Sequence, residues 1–379
     1  MKRLQIVHEG VIYRNPLPGH VAICAYHPNL VPLSDDRVLC FYRRGQAMYS
    51  LDGRIMQSLS TDGGRTWQDQ GLVWGAENET EQRYAYTAPS VTCLRYGRMI
   101  MLACRFPALE SEMIRFNADT GGLKGVEVVM LCSQDAGQTW SPPRPIDLPG
   151  APVAYAQSPV IELADGSWFL GAETWKAWDD TSPLHAKGYA IFSRDEGNSW
   201  QDRIDYPSAA DTTRMFSHSQ YRTMRDGGIC ATQWAQSIGG QKDHDLHFVR
   251  SDETATNWTA PQPTGLPGQT SCIGDLGDDR FVVTYSRRAS GEKVKPGIMV
   301  ALSEDGARTW NIENQAMVWD PVGQEYLDVT HKPTYPASHD NIAFGKPEMA
   351  VLPCGDIIAT WWCTQACVTH VRCARLTVV

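Results

Sequence analysis

Short apolar runs recur along the whole of the 379-residue chain, and they come in pairs. Asn29–Leu33 is followed by Arg37–Tyr42, Ser90–Leu94 by Arg98–Cys104, and Pro159–Leu163 by Ser167–Ala172. Gln220–Met224 is followed by Gly228–Gln233, Ser271–Leu276 by Arg280–Tyr285, and Glu348–Leu352 by Asp356–Trp361. Runs of this length, separated by turns such as Ala164-Asp165-Gly166 and Arg225-Asp226-Gly227, predict β-hairpins. No segment with a helical period stands out.

A second pattern follows five of the six pairs. Ser60-Thr61-Asp62-Gly63-Gly64-Arg65-Thr66-Trp67 returns as Ser133 to Trp140, as Ser193 to Trp200 and, with Ala307 in the glycine slot, as Ser303 to Trp310. A degenerate copy, Ser251 to Trp258, has Glu253 in the Asp slot, Ala255 in the Gly slot and Asn257 in the Thr slot. The acidic positions 62, 135, 195, 253 and 305 are 73, 60, 58 and 52 residues apart, room for four strands and a loop each. The motif has a local reason. Asp accepts backbone N–H groups across a tight turn, Gly takes a positive φ, and Trp packs between sheets. Asp62, Asp135, Asp195 and Asp305 are therefore expected to hold turns and do no chemistry.

The pattern S-x-D-x-G-x-T-W resembles the Asp box, or BNR repeat, of the sialidase superfamily. The resemblance implies an all-β fold, a six-bladed β-propeller of four-stranded antiparallel blades in a single domain over 1–379. The blades are expected near 17–75, 84–147, 155–206, 216–264, 268–320 and 343–379. A strand at 4–14 completes the last one and closes the ring, which removes free sheet edges.

The net charge of −9 disfavours a nucleic-acid partner. The eleven cysteines show no paired spacing and read as buried reduced thiols, and the first residues lack an apolar signal core. A cytoplasmic protein with no membrane span follows as the expectation. An acidic chain still allows a locally basic pocket for an anionic sugar.

In a propeller the innermost strands converge on one end of the axis, and the loops after each second strand return to it. His27, His218, Lys346 and Glu348 lie at inner-strand starts; Arg43, Arg44, Arg105, Glu173, Trp175, Trp234, Arg287 and Arg288 lie at second-strand ends. Arg suits a carboxylate, Trp a sugar face, Glu and His proton transfer. Sialidases carry Arg-Ile-Pro on the first inner strand, where this chain has Tyr26-His27-Pro28, and a Tyr nucleophile on the sixth, where it has Lys346-Pro347-Glu348. Arg43-Arg44 followed by Asp52 resembles the family's Arg and acid/base Asp, and Arg287-Arg288 its clamp Arg; Leu51-Asp52-Gly53 also fits a plain hairpin turn.

Three functions follow. The first is an exo-acting glycoside hydrolase, not a strict sialidase, with its carboxylates drawn from Asp52, Glu173, Asp340 and Glu348. The second is a lyase for uronate-containing glycans, using His27, His218, Tyr84 or Tyr155 as base with Arg83 or Arg105 on the carboxylate. The third is a non-catalytic sugar-binding propeller. The expected partner is an oligosaccharide, with no cofactor. Asp243-His244-Asp245-Leu246-His247 is not expected to hold a metal, because i and i+3 on a strand face opposite sides. The stretch Thr330 to Phe344, with His331, His339 and Asp340, either overhangs the pocket or serves as a plain connection.

Overall fold

The computed structural model describes residues 2–78, 83–108, 115–150, 153–240, 242–288, 295–322, 324 and 343–379. Each blade is a meander running from the axis outward. Blade one is β2 (Cys24–Pro32), β3 (Val38–Gly45), β4 (Arg54–Ser60) and β5 (Gln68–Leu72). Blade two is β6 (Tyr84–Cys93), β7 (Met99–Pro107), β8 (Glu127–Ser133) and β9 (Arg144–Pro145). In blade three the inner strand is split into β10 (Val153–Tyr155) and β11 (Ile161–Glu162), both on β12 (Trp168–Trp175), followed by β13 (Gly188–Ser193) and β14 (Gln201–Asp205).

Blade four is β15 (Arg214–Thr223), β16 (Ile229–Ser237), β17 (His247–Arg250) and β18 (Gln262–Pro263). Blade five is β19 (Ser271–Gly277), β20 (Arg280–Arg287), β21 (Gly297–Ser303) and β22 (Ala316–Trp319). Blade six is β23 (Phe344–Val351), β24 (Ile357–Gln365) and β25 (Val368–Val378), with β1 (Leu4–Tyr13) as its outermost strand. Leu4 pairs with Val378 and Tyr13 with Val371, so the first strand closes the ring.

Second strands such as Val38–Tyr42 are buried on both faces, because each blade is packed between two others. The apolar core divides accordingly into six clusters, one at each blade–blade interface. The Asp-box tryptophans join these interfaces. Trp140 of blade two meets Phe41 of blade one edge-on at 5.6 Å, and Trp258 of blade four stacks on Phe169 of blade three at 5.9 Å.

The boxes lie in the turns between third and fourth strands. Asp135 accepts Thr139 N at 2.9 Å, Thr139 Oγ1 at 2.6 Å and Ser133 Oγ at 2.8 Å. These bonds pull its carboxyl down to about 2, and they recur around Asp62, Asp195 and Asp305. The fourth blade departs from the expected register. Asp252, not Glu253, accepts from Thr254, Thr256 and Asn257, the shorter side chain one position earlier reaching forward across the turn.

His331, His339 and Asp340 lie outside the described residues. All eleven cysteines are free thiols. No helix among the described residues is long and apolar enough to cross a membrane.

Candidate functional site

The inner strands share a device. Each of β2, β6, β15 and β23 slips register once, between Tyr26 and Asn29, Thr87 and Ser90, Ser217 and Gln220, and Gly345 and Glu348. The bulged residue has a left-handed backbone: His27 at φ 53°, Ala88 at 51°, His218 at 53° and Lys346 at 38°. Such bulges redirect a side chain, and left-handed non-glycine residues store strain. Three of the four carry nitrogen bases, and these three are only half-buried in strands otherwise closed to solvent. In blade three the ladder opens between β10 and β11, where Gln157 is likewise half-buried.

Neighbouring bulges are tied together. His27 Nδ1 lies 3.0 Å from Thr87 Oγ1, and His218 Nδ1 lies 3.1 Å from Gln157 Oε1. With the Gln oxygen accepting, neutral His218 carries its proton on Nδ1 and a lone pair on Nε2. Burial drives His27 well below the ordinary imidazole range, and Lys346, Arg43, Arg115 and His218 push it the same way. His27 is therefore neutral at neutral pH.

An aromatic wall encircles this mouth. Ring centroids run from His27 to Tyr49 at 6.5 Å, Tyr49 to Phe116 at 5.9 Å and Phe116 to Trp175 at 6.4 Å. They continue from Trp175 to Tyr155 at 5.8 Å, Tyr155 to His218 at 6.3 Å and His218 to Trp234 at 5.5 Å. Trp234 Nε1 donates to Asp243 at 2.9 Å, Gln269 to the same carboxylate at 2.7 Å, and Arg288 Nε to Gln269 at 2.8 Å. Arg288 also donates to Phe344 O, which returns the circuit to the strand bearing Lys346. His27, His218, Trp175, Trp234, Arg288 and Lys346 are thus gathered at one end of the axis.

The other nominated residues have different duties. Buried Glu173 accepts His218 N at 2.9 Å and Ser219 N at 2.8 Å, so it braces the fourth bulge. Burial raises its pKa, and those N–H groups oppose the rise. Buried Glu348 holds Arg222 Nη2 at 2.7 and 2.8 Å and Asn29 Nδ2 at 2.6 Å, while Asn29 Oδ1 takes Val91 N. That chain of bonds bridges the inner strands of blades four, six, one and two. Neither glutamate presents an unengaged carboxylate.

Arg43 is taken up by its own loop. It is fully buried and holds its own loop through Ala47 O at 2.5 Å and Ser50 O at 2.8 Å. Burial lowers its pKa to about 10, against the attraction of Asp52, so it stays charged. Asp52 is exposed and accepts Gln46 N with both oxygens at 3.1 Å, the bonding of a hairpin turn. Arg44 lies over Tyr13, Arg105 pairs with Glu127 at 2.8 Å above Tyr84, and Arg287 donates to Lys295 O at 2.6 Å. Strand alternation turns each of these three from the mouth.

Tyr49, Arg115 and Phe116 were not nominated from the sequence. They come from the β3–β4 and β7–β8 connections, and only tertiary contacts bring them in: Asn117 and Thr120 both donate to Trp178 O, and Trp175 Nε1 to Gly121 O. No group of three or more His, Cys, Asp or Glu side chains is gathered to hold a metal among the described residues.

Comparison with known proteins agrees with this architecture. Residues 87–338 match the BNR repeat-like domain family. A search of curated protein sequences returned no match. Among solved structures, a protein of unknown function from Dyadobacter fermentans is similar at TM-score 0.72 and 17% identity, over 99% of each chain. The Hadza microbial sialidase Hz136 is similar at TM-score 0.66 and 15% identity, over 97% of this chain and 68% of that one. The intramolecular trans-sialidase from Ruminococcus gnavus is similar at 0.55 and 12%, over 93% and 94%. Identities this low establish the fold alone.

Proposed function

The chain belongs to the BNR repeat-like domain family, and on that footing we propose that it is a carbohydrate-active enzyme that cleaves a glycosidic bond with His27 and His218 as proton-transfer groups. The observation that carries the reading is this pair of imidazoles, held on equivalent bulges inside one aromatic wall. Aromatic faces suit the C–H surface of a sugar, and imidazoles move protons near neutral pH.

The chemistry best served by these side chains is elimination from a uronate. Neutral His27 takes the proton α to the carboxylate, and the C–H electron pair moves into the carboxylate as an enolate. That pair then closes the Cα=Cβ double bond as the β C–O bond breaks, and the departing oxygen takes the proton from the His27 imidazolium, which returns it to the neutral form. Engagement of Glu173 and Glu348 in backbone and Arg bonds weighs against an acid–base carboxylate pair drawn from them. Hydrolysis is the second reading. It is favoured by the exposed carboxylate of Asp52 on the β3–β4 connection and by the sialidases among the similar folds.

The test is digestion of a panel of acidic and neutral oligosaccharides. Elimination gives the ultraviolet absorbance of an unsaturated uronate together with new reducing ends; hydrolysis gives reducing ends alone. Binding without either product overturns the enzymatic reading and leaves a sugar-binding propeller.

A further inference from the structure

We propose that Arg115 and Lys346 together bind the carboxylate of an acidic sugar, with Arg115 Nη1 and Lys346 Nζ each donating a hydrogen bond to it. This rests on the reading of the axial mouth as a sugar site and names the group that the site selects.

Both nitrogens are closed to solvent and have no hydrogen-bond partner among the described residues. A buried cationic donor without a partner is destabilising, so two beside one mouth call for a shared anion. Lys346 projects from the bulge of blade six, and the nearest acid on its own strand, Glu348, is engaged by Arg222 and Asn29. Arg115 has its Cζ 5.1 Å from the Tyr49 centroid and 5.0 Å from that of Phe106, which fixes the guanidinium against the wall but satisfies none of its N–H groups.

The two cations share a neighbourhood. Tyr49 has the His27 ring at 6.5 Å and Arg115 Cζ at 5.1 Å, and the strands of His27 and Lys346 are joined two residues past their bulges by Asn29 Nδ2 donating to Glu348 at 2.6 Å; both cations also oppose protonation of His27. The group they flank is therefore the imidazole assigned to proton transfer. A carboxylate offers two oxygens to two separate donors, and its charge offsets the positive surroundings of His27.

The experiment titrates the full chain with methyl glucuronoside, methyl glucoside and glucose 6-phosphate by calorimetry. Lys346→Met, Lys346→Gln and Arg115→Met are compared with the parent, with near-ultraviolet circular dichroism reading the fold. The parent is expected to prefer the glucuronoside to the glucoside by about 10-fold or more, the scale of a charge-assisted hydrogen bond. Each folded variant is expected to lose that preference while keeping its affinity for the glucoside. An unchanged preference in folded Arg115→Met and Lys346→Gln overturns the carboxylate site and leaves the mouth standing as a sugar site. Tighter binding of the phosphate, lost in the same variants, overturns the carboxylate assignment. Binding of no sugar at all, with no turnover, overturns the mouth reading and this inference with it.

Discussion

His27 and His218 hold the same left-handed angle, φ 53°, at matching bulges of blades one and four, three blades apart around the ring. The fold thus aims two imidazoles at one space from opposite blades, and it does so with a strained backbone that the neighbouring strands over-determine.

The first prediction concerns pH and rate. His27 must be neutral to accept a proton, and its folded pKa lies well below the usual imidazole value. With His27 as the proposed base, the kcat/KM of the parent protein is expected to rise through a limb below pH 6.5 and to be level at neutrality. His27→Gln should lower kcat by about 100-fold or more and abolish that limb. A limb that persists in the variant assigns the titration elsewhere.

The second concerns Glu173, which holds His218 in place by accepting the N–H groups of His218 and Ser219. A glutamine keeps one accepting oxygen and replaces the other with a donor facing an N–H. Glu173→Gln is therefore expected to lower kcat more than it raises KM, because the His218 imidazole is displaced while Tyr155, Trp175 and Trp234 remain. Equal losses in folding and activity would reduce Glu173 to a purely structural role.

The third concerns acid stability. Fully buried His370 is pushed down to about 4 by burial, and its Nδ1 lies 2.9 Å from Val368 O. The unfolded chain takes up this proton near pH 6.5, before the folded one does, so stability falls as pH drops from 6.5 towards 4. The loss attributable to this group is about 3 kcal/mol at full protonation of the unfolded chain alone. Urea midpoints between pH 7 and 4 should show that decline in the parent and a shallower one in His370→Asn.

The fourth concerns the bridge across the axis. Glu348→Ala leaves the half-buried Arg222 guanidinium without its carboxylate, a change worth about 3 kcal/mol of destabilisation, the low end for a buried pair. The double variant Arg222→Met/Glu348→Leu should be more stable than the single one. Unfolding curves of the three proteins decide it, and a double variant as weak as the single one would show that packing, not charge, is at stake.

Much of the fold was legible because its determinants are local. Asp135 and Thr139 stand four residues apart and bond each other, so the motif and its turn are one object. Glu253 keeps the motif's spacing from Ser251 and Trp258, yet the turn is closed by the bonds of Asp252, one position earlier, which spacing alone does not reveal. Site residues were harder. Arg43 and Arg44 are adjacent in sequence and opposite in direction, and strand phase cannot be fixed to one residue by apolar patterning when both faces are buried. Arg115 and Phe116 lie on a connection whose path depends on Trp178, sixty-odd residues away.

The pairing of β1 with β25 has a consequence for biosynthesis. Leu4 precedes all six inner strands in chain order and its partner Val378 follows them, so β1 is made before the blades and pairs only after they have emerged. Until the final strand emerges, five blades stand as an open arc, and the apolar flanks of β2 and β19 wait for the blade that will separate them. During synthesis the nascent chain therefore depends on protection from association at that gap, and ring closure waits for β25.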